Sequence, residues 1–138
     1  MLPATREHLD GDDGFTLFEL LVVVIVVGVL AAIAAPLFVR QQEQAWEADA
    51  QTVLRNAAIA AEACAVAPAN DGSYRSCVTP DQLAAQGFAP LDGVVLTGEA
   101  VTVDGVPGGG YVFTARHTRG GATFRLASED GVITEVDP

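Results

Sequence analysis

Lysine is absent from this chain of 138 residues: all seven basic side chains are arginines, set against 18 acidic ones for a formal net charge of −11. That absence excludes a Walker-type phosphate loop and Schiff-base catalysis by lysine. So acidic a surface also disfavours nucleic acid as a general partner, because phosphate contacts need cations. Histidine and cysteine are scarce, two of each, and their spacings fit no four-ligand structural zinc site. Asp10-Gly11-Asp12-Asp13-Gly14 has the look of a calcium loop but lacks the third ligand and the terminal glutamate. Gly108-Gly109-Gly110 is followed by neither a helix nor a lysine and reads as a flexible connector. No adjacent motifs supply a serine, a histidine and a carboxylate together, so the reading is of a non-enzyme without cofactor or metal. What the chain has in plenty is apolar side chains, half of all residues. That is too many for a disordered polymer and enough for one domain.

The apolar residues are concentrated early. From Leu20 to Val39 there is no charged or strongly polar side chain, and only Gly28 and Pro36 interrupt the run. About 20 residues at roughly 1.5 Å each span about 30 Å, the hydrocarbon thickness of a bilayer. A polar leader precedes it, in which Glu7, Asp10, Asp12 and Asp13 outnumber the single Arg6. An ordinary secretory signal peptide needs a basic start, which is missing here, although Ala32-Ile33-Ala34 could serve as its cleavage site. A plain membrane anchor explains the length but not Glu19, which sits between Phe18 and Leu20. An ionisable residue costs about 2.5 to 3.5 kcal/mol at the centre of a membrane helix and less near an interface, so Glu19 either snorkels to the headgroups or has a partner.

Gly14-Phe15-Thr16-Leu17-Phe18-Glu19-Leu20-Leu21, followed by the apolar stretch and Pro36, resembles the N-terminus of type IV pilins and the related pseudopilins. The resemblance is specific from Gly14 to Pro36 and weak beyond. It implies cleavage by a membrane-embedded prepilin peptidase between Gly14 and Phe15, which removes a leader of residues 1–14, and methylation of the new amine on Phe15. Asp12 and Asp13 stand where the family is usually basic, so orientation in the membrane rests on the resemblance alone. Assembly then has a physical basis. The freed Phe15 amine, with an unperturbed pKa of about 8, is cationic and lies at the hydrocarbon edge. Glu19, one turn away, can neutralise the amine of an axially shifted neighbour, which sets the stagger. Packing of residues 20–37 supplies most of the cohesion, since lipid tails are as apolar as valine. Gly28 fits close helix contact, and Pro36 removes a helical hydrogen bond, so a kink or an opened turn is expected before it.

Past residue 39 the helical pattern continues into a soluble head, 40–138. Trp46, Ala50, Val53, Ala57, Ala60 and Cys64 recur at helical spacing, with Glu43, Glu47, Gln51 and Arg55 on the other side. The expectation is one helix from about Thr16 to Ala65, its continuation in the head reaching residue 67, and a connecting loop over 68–92. Pro68 and Asn70-Asp71-Gly72 end the helix, Thr79-Pro80-Asp81-Gln82 is a helix start with a capping box, and Gly87 closes that short helix. Valine-rich and aromatic runs at 93–97, 100–103, 111–117, 123–127 and 132–136 predict an antiparallel sheet of three to five strands over 93–138. The fold class is α+β: a long N-terminal α-helix, its first half transmembrane, packed through its second half on a small antiparallel β-sheet. This layout is similar to small pilin heads. The export that the resemblance implies favours a disulfide between Cys64 and Cys77 over two buried thiols.

Arg116, His117, Arg119 and Arg125 fall on one predicted hairpin. A solvated strand face, a patch docking on a neighbour's Glu43, Glu47 and Asp49, and a DNA contact are the readings, DNA the least supported. The sequence therefore points to a subunit of a homopolymeric type IV pilus. Its partners are prepilin peptidase, an inner-membrane assembly platform and the cytoplasmic membrane before assembly. The alternatives are a pseudopilin or minor pilin of a secretion or DNA-uptake machine, and a secreted binding module with an ordinary signal peptide.

Overall fold

The computed structural model describes residues 14–136; the leader before Gly14, with His8 and the Asp10–Asp13 stretch, lies outside the described residues, as do the last two positions. The elements are α1 (Leu17–Ala65), α2 (Pro80–Ala84), β1 (Val94–Val103), β2 (Val106–His117), β3 (Thr123–Ala127) and β4 (Ile133–Val136). The class is α+β, with one antiparallel sheet in the order β1-β2-β3-β4. Two compact units divide inside α1, between Phe38 and Val39.

In the first unit α1 stays helical through both Gly28 and Pro36. A proline removes one backbone donor, and the turns on either side carry the helix past it. In the second unit α1 buries Ala50, Val53, Leu54, Ala57, Ala60, Ala61 and Cys64 along one stripe. Alanine at most of these places brings the helix backbone close to the sheet, and Leu54 and Ala61 widen the stripe beyond the simple heptad-like series. Alternate residues of the strands face it: Leu96 from β1, Phe113 and Ala115 from β2, Phe124 and Leu126 from β3, with Leu83 and Phe88 closing one side. The same period of two sends Val95, Arg116 and Arg125 to the outer face, where they are exposed.

The connections follow their turn chemistry. The Asn70 amide donates to the Cys64 carbonyl at 2.9 Å and the Gly72 N–H to Ala65 O at 2.9 Å, so α1 stops at Ala65 rather than running on to residue 67. Thr79 and Gln82 form the capping box of α2, with Pro80 at its first position. Cys64 and Cys77 are joined as a disulfide with Cα atoms 5.8 Å apart.

Two strand readings need correction. Residues 93–97 and 100–103 are not separate runs but the single strand β1, continuous through Gly98. A side chain there would overlap the Val78 carbonyl oxygen and the Phe113 ring, so glycine is required by close approach and not by a turn. Nor is Gly108-Gly109-Gly110 a flexible connector. All three lie in β2, where Gly108 O accepts from Tyr74 N–H at 2.9 Å and Gly110 leaves room for Ser128 and Val103. The hairpin turn is Asp104-Gly105, both at positive φ (51° and 77°), the two-residue geometry that matches strand twist.

Candidate functional site

The apolar helix begins in a reciprocal hydrogen-bond arrangement. The Glu19 N–H donates to Thr16 Oγ1 at 3.1 Å, while Glu19 Oε2 accepts from the Thr16 N–H and the Thr16 hydroxyl, both at 3.0 Å. This is a capping box: the threonine and the glutamate three residues on satisfy donors that the first turn of a helix leaves orphaned. The spacing Thr-x-x-Glu ahead of an apolar run was readable in the sequence, and the reading of Glu19 as an inter-subunit charge passed over it. Only Oε2 is engaged. Oε1 has no partner among the bonds within the described residues, so the carboxylate has capacity for a second cation or donor.

Beyond Glu19 the surface is apolar all round. Every large apolar side chain from Phe15 to Val39 is exposed, from 87% for Phe15 to 42% for Val22. α1 is also long and apolar enough to cross a membrane. Such a surface needs lipid or other protein against it. A Cβ on Gly28 would meet nothing within 4 Å, so no contact inside this chain requires glycine there.

In the second unit the basic residues separate. Arg116 and Arg125 lie on the outer face, and Arg119 lies in the β2–β3 turn, all exposed. His117 does not join them. It is 6% exposed and stacks on Trp46, with ring centroids 5.5 Å apart and an interplanar angle of 12°. Its Nδ1 accepts the Arg119 N–H at 3.1 Å. The alternation that buries Phe113 and Ala115 carries on to His117, and that pattern was the available clue. Glu47 is also displaced from its expected place. Its Oε1 accepts the Ala122 N–H at 3.3 Å, holding the turn onto α1 instead of facing away.

At the other end of the sheet Tyr74 donates its hydroxyl to Glu62 Oε2 at 2.7 Å and packs edge-on against Tyr111, which in turn touches Phe113. Burial, then the Glu62 carboxylate, pushes the Tyr74 phenol up to about 12; burial raises Tyr111 as well. Both phenols are thus held as neutral hydroxyls beside the core.

The segment that contains Thr16 and Glu19 is matched by the family model for the prokaryotic N-terminal methylation motif, over residues 11–35. This chain carries the type IV pilin signal. It is also 48% identical over 42 residues to the type IV major pilin protein PilA of Myxococcus xanthus strain DK1622. That likeness takes in 30% of this chain and 19% of the relative, so it spans about a fifth of the pilin it matches. The architecture, a long apolar N-terminal helix with a small antiparallel four-stranded sheet, is consistent with the pilin fold.

Proposed function

We propose that this chain is the precursor of a type IV pilus subunit and acts as a structural protein, not an enzyme. The observation that carries the reading is the methylation motif on an exposed helix of membrane length. On this reading prepilin peptidase cuts between Gly14 and Phe15, Phe15 is N-methylated, and the apolar helix passes from the cytoplasmic membrane into the core of a surface filament. Arg40 and the polar residues after it begin the part that leaves the bilayer.

The capping box gives Glu19 two separable jobs. Oε2 starts its own helix; Oε1 takes the cationic amine of a neighbour's Phe15, and the pairing sets the stagger because either charge alone is costly beside hydrocarbon. Gly28 lets a second helix approach closely, and Pro36 marks where the helix can open once protein replaces lipid around it. The likeness to a major pilin, over 42 residues, is in keeping with a filament subunit.

N-terminal sequencing and mass measurement of sheared surface fibres test this directly: N-methylated Phe15 is expected. An end at Ala35 or Pro36, on a soluble monomer, would point to ordinary signal-peptide cleavage and overturn the reading. Glu19→Gln separates the two jobs, since glutamine also serves at the third position of a capping box but carries no charge. Loss of filaments in Glu19→Gln with normal membrane insertion is the expected outcome. Normal filaments in Glu19→Gln and loss only in Glu19→Ala would assign the residue to capping alone.

A further inference from the structure

Alternate residues of an antiparallel strand turn their main-chain groups to opposite sides, so one bond of known register assigns the whole strand. For β1 that bond runs from the Thr118 N–H to Gly93 O at 2.8 Å, in line with the Val94–His117 pairing. The Ser128 N–H to Tyr111 O bond, at 3.0 Å, does the same between β2 and β3. The two agree: even positions of β2 bond β1, and odd ones bond β3. Val95, Thr97 and Glu99 therefore bond β2, while Leu96, Gly98 and Ala100 each turn an N–H and a carbonyl oxygen away from the sheet. β1 stands at the end of the strand order, and among the described residues no main-chain bond reaches those three. The Val78 carbonyl approaches Gly98 from the core face that Leu96 shares, not along the edge. Buried without partners these groups would be costly, and Val95, Thr97 and Glu99 beside them are exposed, so the edge is open.

Folded proteins usually blunt an open edge with lysine, proline, a bulge or a very short strand. β1 has little of this. It is 10 residues long, VVLTGEAVTV, without lysine, arginine or proline, and its one charge is Glu99. Its bulge, between Val101 and Thr102, lies past the outward groups. The opposite edge, β4, has only 4 residues and turns Ile133 and Glu135 outward. An edge of valine and threonine calls for another extended strand, and the outer-face side chains decide which. Turned antiparallel about Gly98, β1 meets its own copy with Val95 against Val101 and Thr97 against Glu99, while Leu96 bonds across to Ala100 and Gly98 to Gly98. Turning about Glu99 instead opposes two carboxylates. Turning about Thr97 asks for the Val94 N–H, which already donates to Leu91 O at 3.1 Å.

We infer that the free edge of β1 is a docking site for β1 of a second copy of this chain, antiparallel, with a two-fold axis at Gly98. In that register the outward N–H and carbonyl groups of Leu96, Gly98 and Ala100 are all satisfied, like charges do not meet, and the residue on the axis brings no side chain. The contact is isologous and closes at two copies, so it differs in kind from a head-to-tail contact that extends a polymer. It goes beyond the pilus reading and does not rest on it: two heads can pair this way whether or not their apolar helices enter a filament.

The test uses the full chain in nonionic detergent, with amide exchange followed residue by residue and sedimentation velocity over a dilution series. On association the Leu96, Gly98 and Ala100 amides should exchange at least tenfold more slowly than in the dilute sample, while the Val95, Thr97 and Glu99 amides, already bonded to β2, change little. Ala100→Pro removes one outward donor and no bond to β2, a place where an edge strand tolerates proline. It should keep the native circular dichroism spectrum and weaken association about tenfold or more. Thr97→Glu serves where the proline variant does not fold. It sets a carboxylate against Glu99 of the second copy on both sides of the axis, and should weaken association about tenfold at low salt and less at high salt, whereas Thr97→Arg should strengthen it. Exchange at Leu96, Gly98 and Ala100 that is independent of concentration overturns the inference, as does a folded Ala100→Pro or Thr97→Glu chain that associates as wild type does. Protection that arises at Ile133 and Glu135 instead would give the contact to β4 and equally overturn it.

Discussion

A glycine in the middle of a strand weakens it unless something needs the room, and at Gly98 two things do. The Val78 carbonyl and the Phe113 ring both occupy the space a Cβ would take. Neither can swing aside, since Val78 leads into the capped helix α2 and Phe113 is fully buried. Gly98→Ala is therefore expected to destabilise the head by about 1–3 kcal/mol through overpacking, read as a lower midpoint in chemical denaturation. An unchanged midpoint would mean that the loop before α2 yields freely. Tyr74 makes a second residue-level expectation. Its phenol is held protonated in the fold, raised from 10.0 to about 12 by burial and by Glu62. A group whose folded pKa is raised stabilises the fold fully below its unfolded value and loses that contribution as pH climbs through the folded one. Stability should fall between pH 10 and about 12, and Tyr74→Phe should make that fall shallower. Tyr111 retains part of the slope, because burial raises it too. An identical slope in Tyr74→Phe would show that the hydroxyl is not in this bond in solution.

The elements were legible in the sequence to the degree that a local rule governed them. The α1 stripe at Ala50, Val53, Ala57, Ala60 and Cys64 followed from helical spacing, and the Thr79–Gln82 capping box from four consecutive residues. The Thr16–Glu19 box obeys the same rule, in a carboxylate whose place beside an apolar run also has a reading as a charge awaiting a partner. Gly98 and Gly108–Gly110 were opaque for a different reason. Their place in β1 and β2 is decided by what lies against them, Val78 and Phe113 in one case, Tyr74, Ser128 and Val103 in the other, and those contacts join parts of the chain far apart in sequence. The separation of His117 from its basic neighbours likewise depends on which face of β2 each residue takes. Arg116 and His117 are neighbours in sequence and face opposite sides of the sheet.

At the scale of the whole molecule the two units depend on different forces, which gives a way to separate them. The first is a helix whose hydrogen bonds are all local and whose side chains bury nothing within the chain, so its stability comes from whatever surrounds it. The second has a core of its own, and the Cys64–Cys77 disulfide ties the end of α1 to the segment that continues past Val78, over Gly98, into α2. Closing a loop of 13 positions is worth about 3 kcal/mol in the chain-entropy model. For a head of this size each kcal/mol moves the midpoint by about 4–8 °C, so reduction should lower the thermal transition of the head by more than about 10 °C. The helical signal of residues 17–38 in detergent should persist through that transition, because the micelle and not the head satisfies its apolar surface. The measurement is circular dichroism of the full chain in detergent, with and without reductant, at wavelengths that report helix and tertiary packing separately. If both signals were lost together at one temperature, the apolar helix would owe its order to the head, and the physical independence of the two units would be wrong.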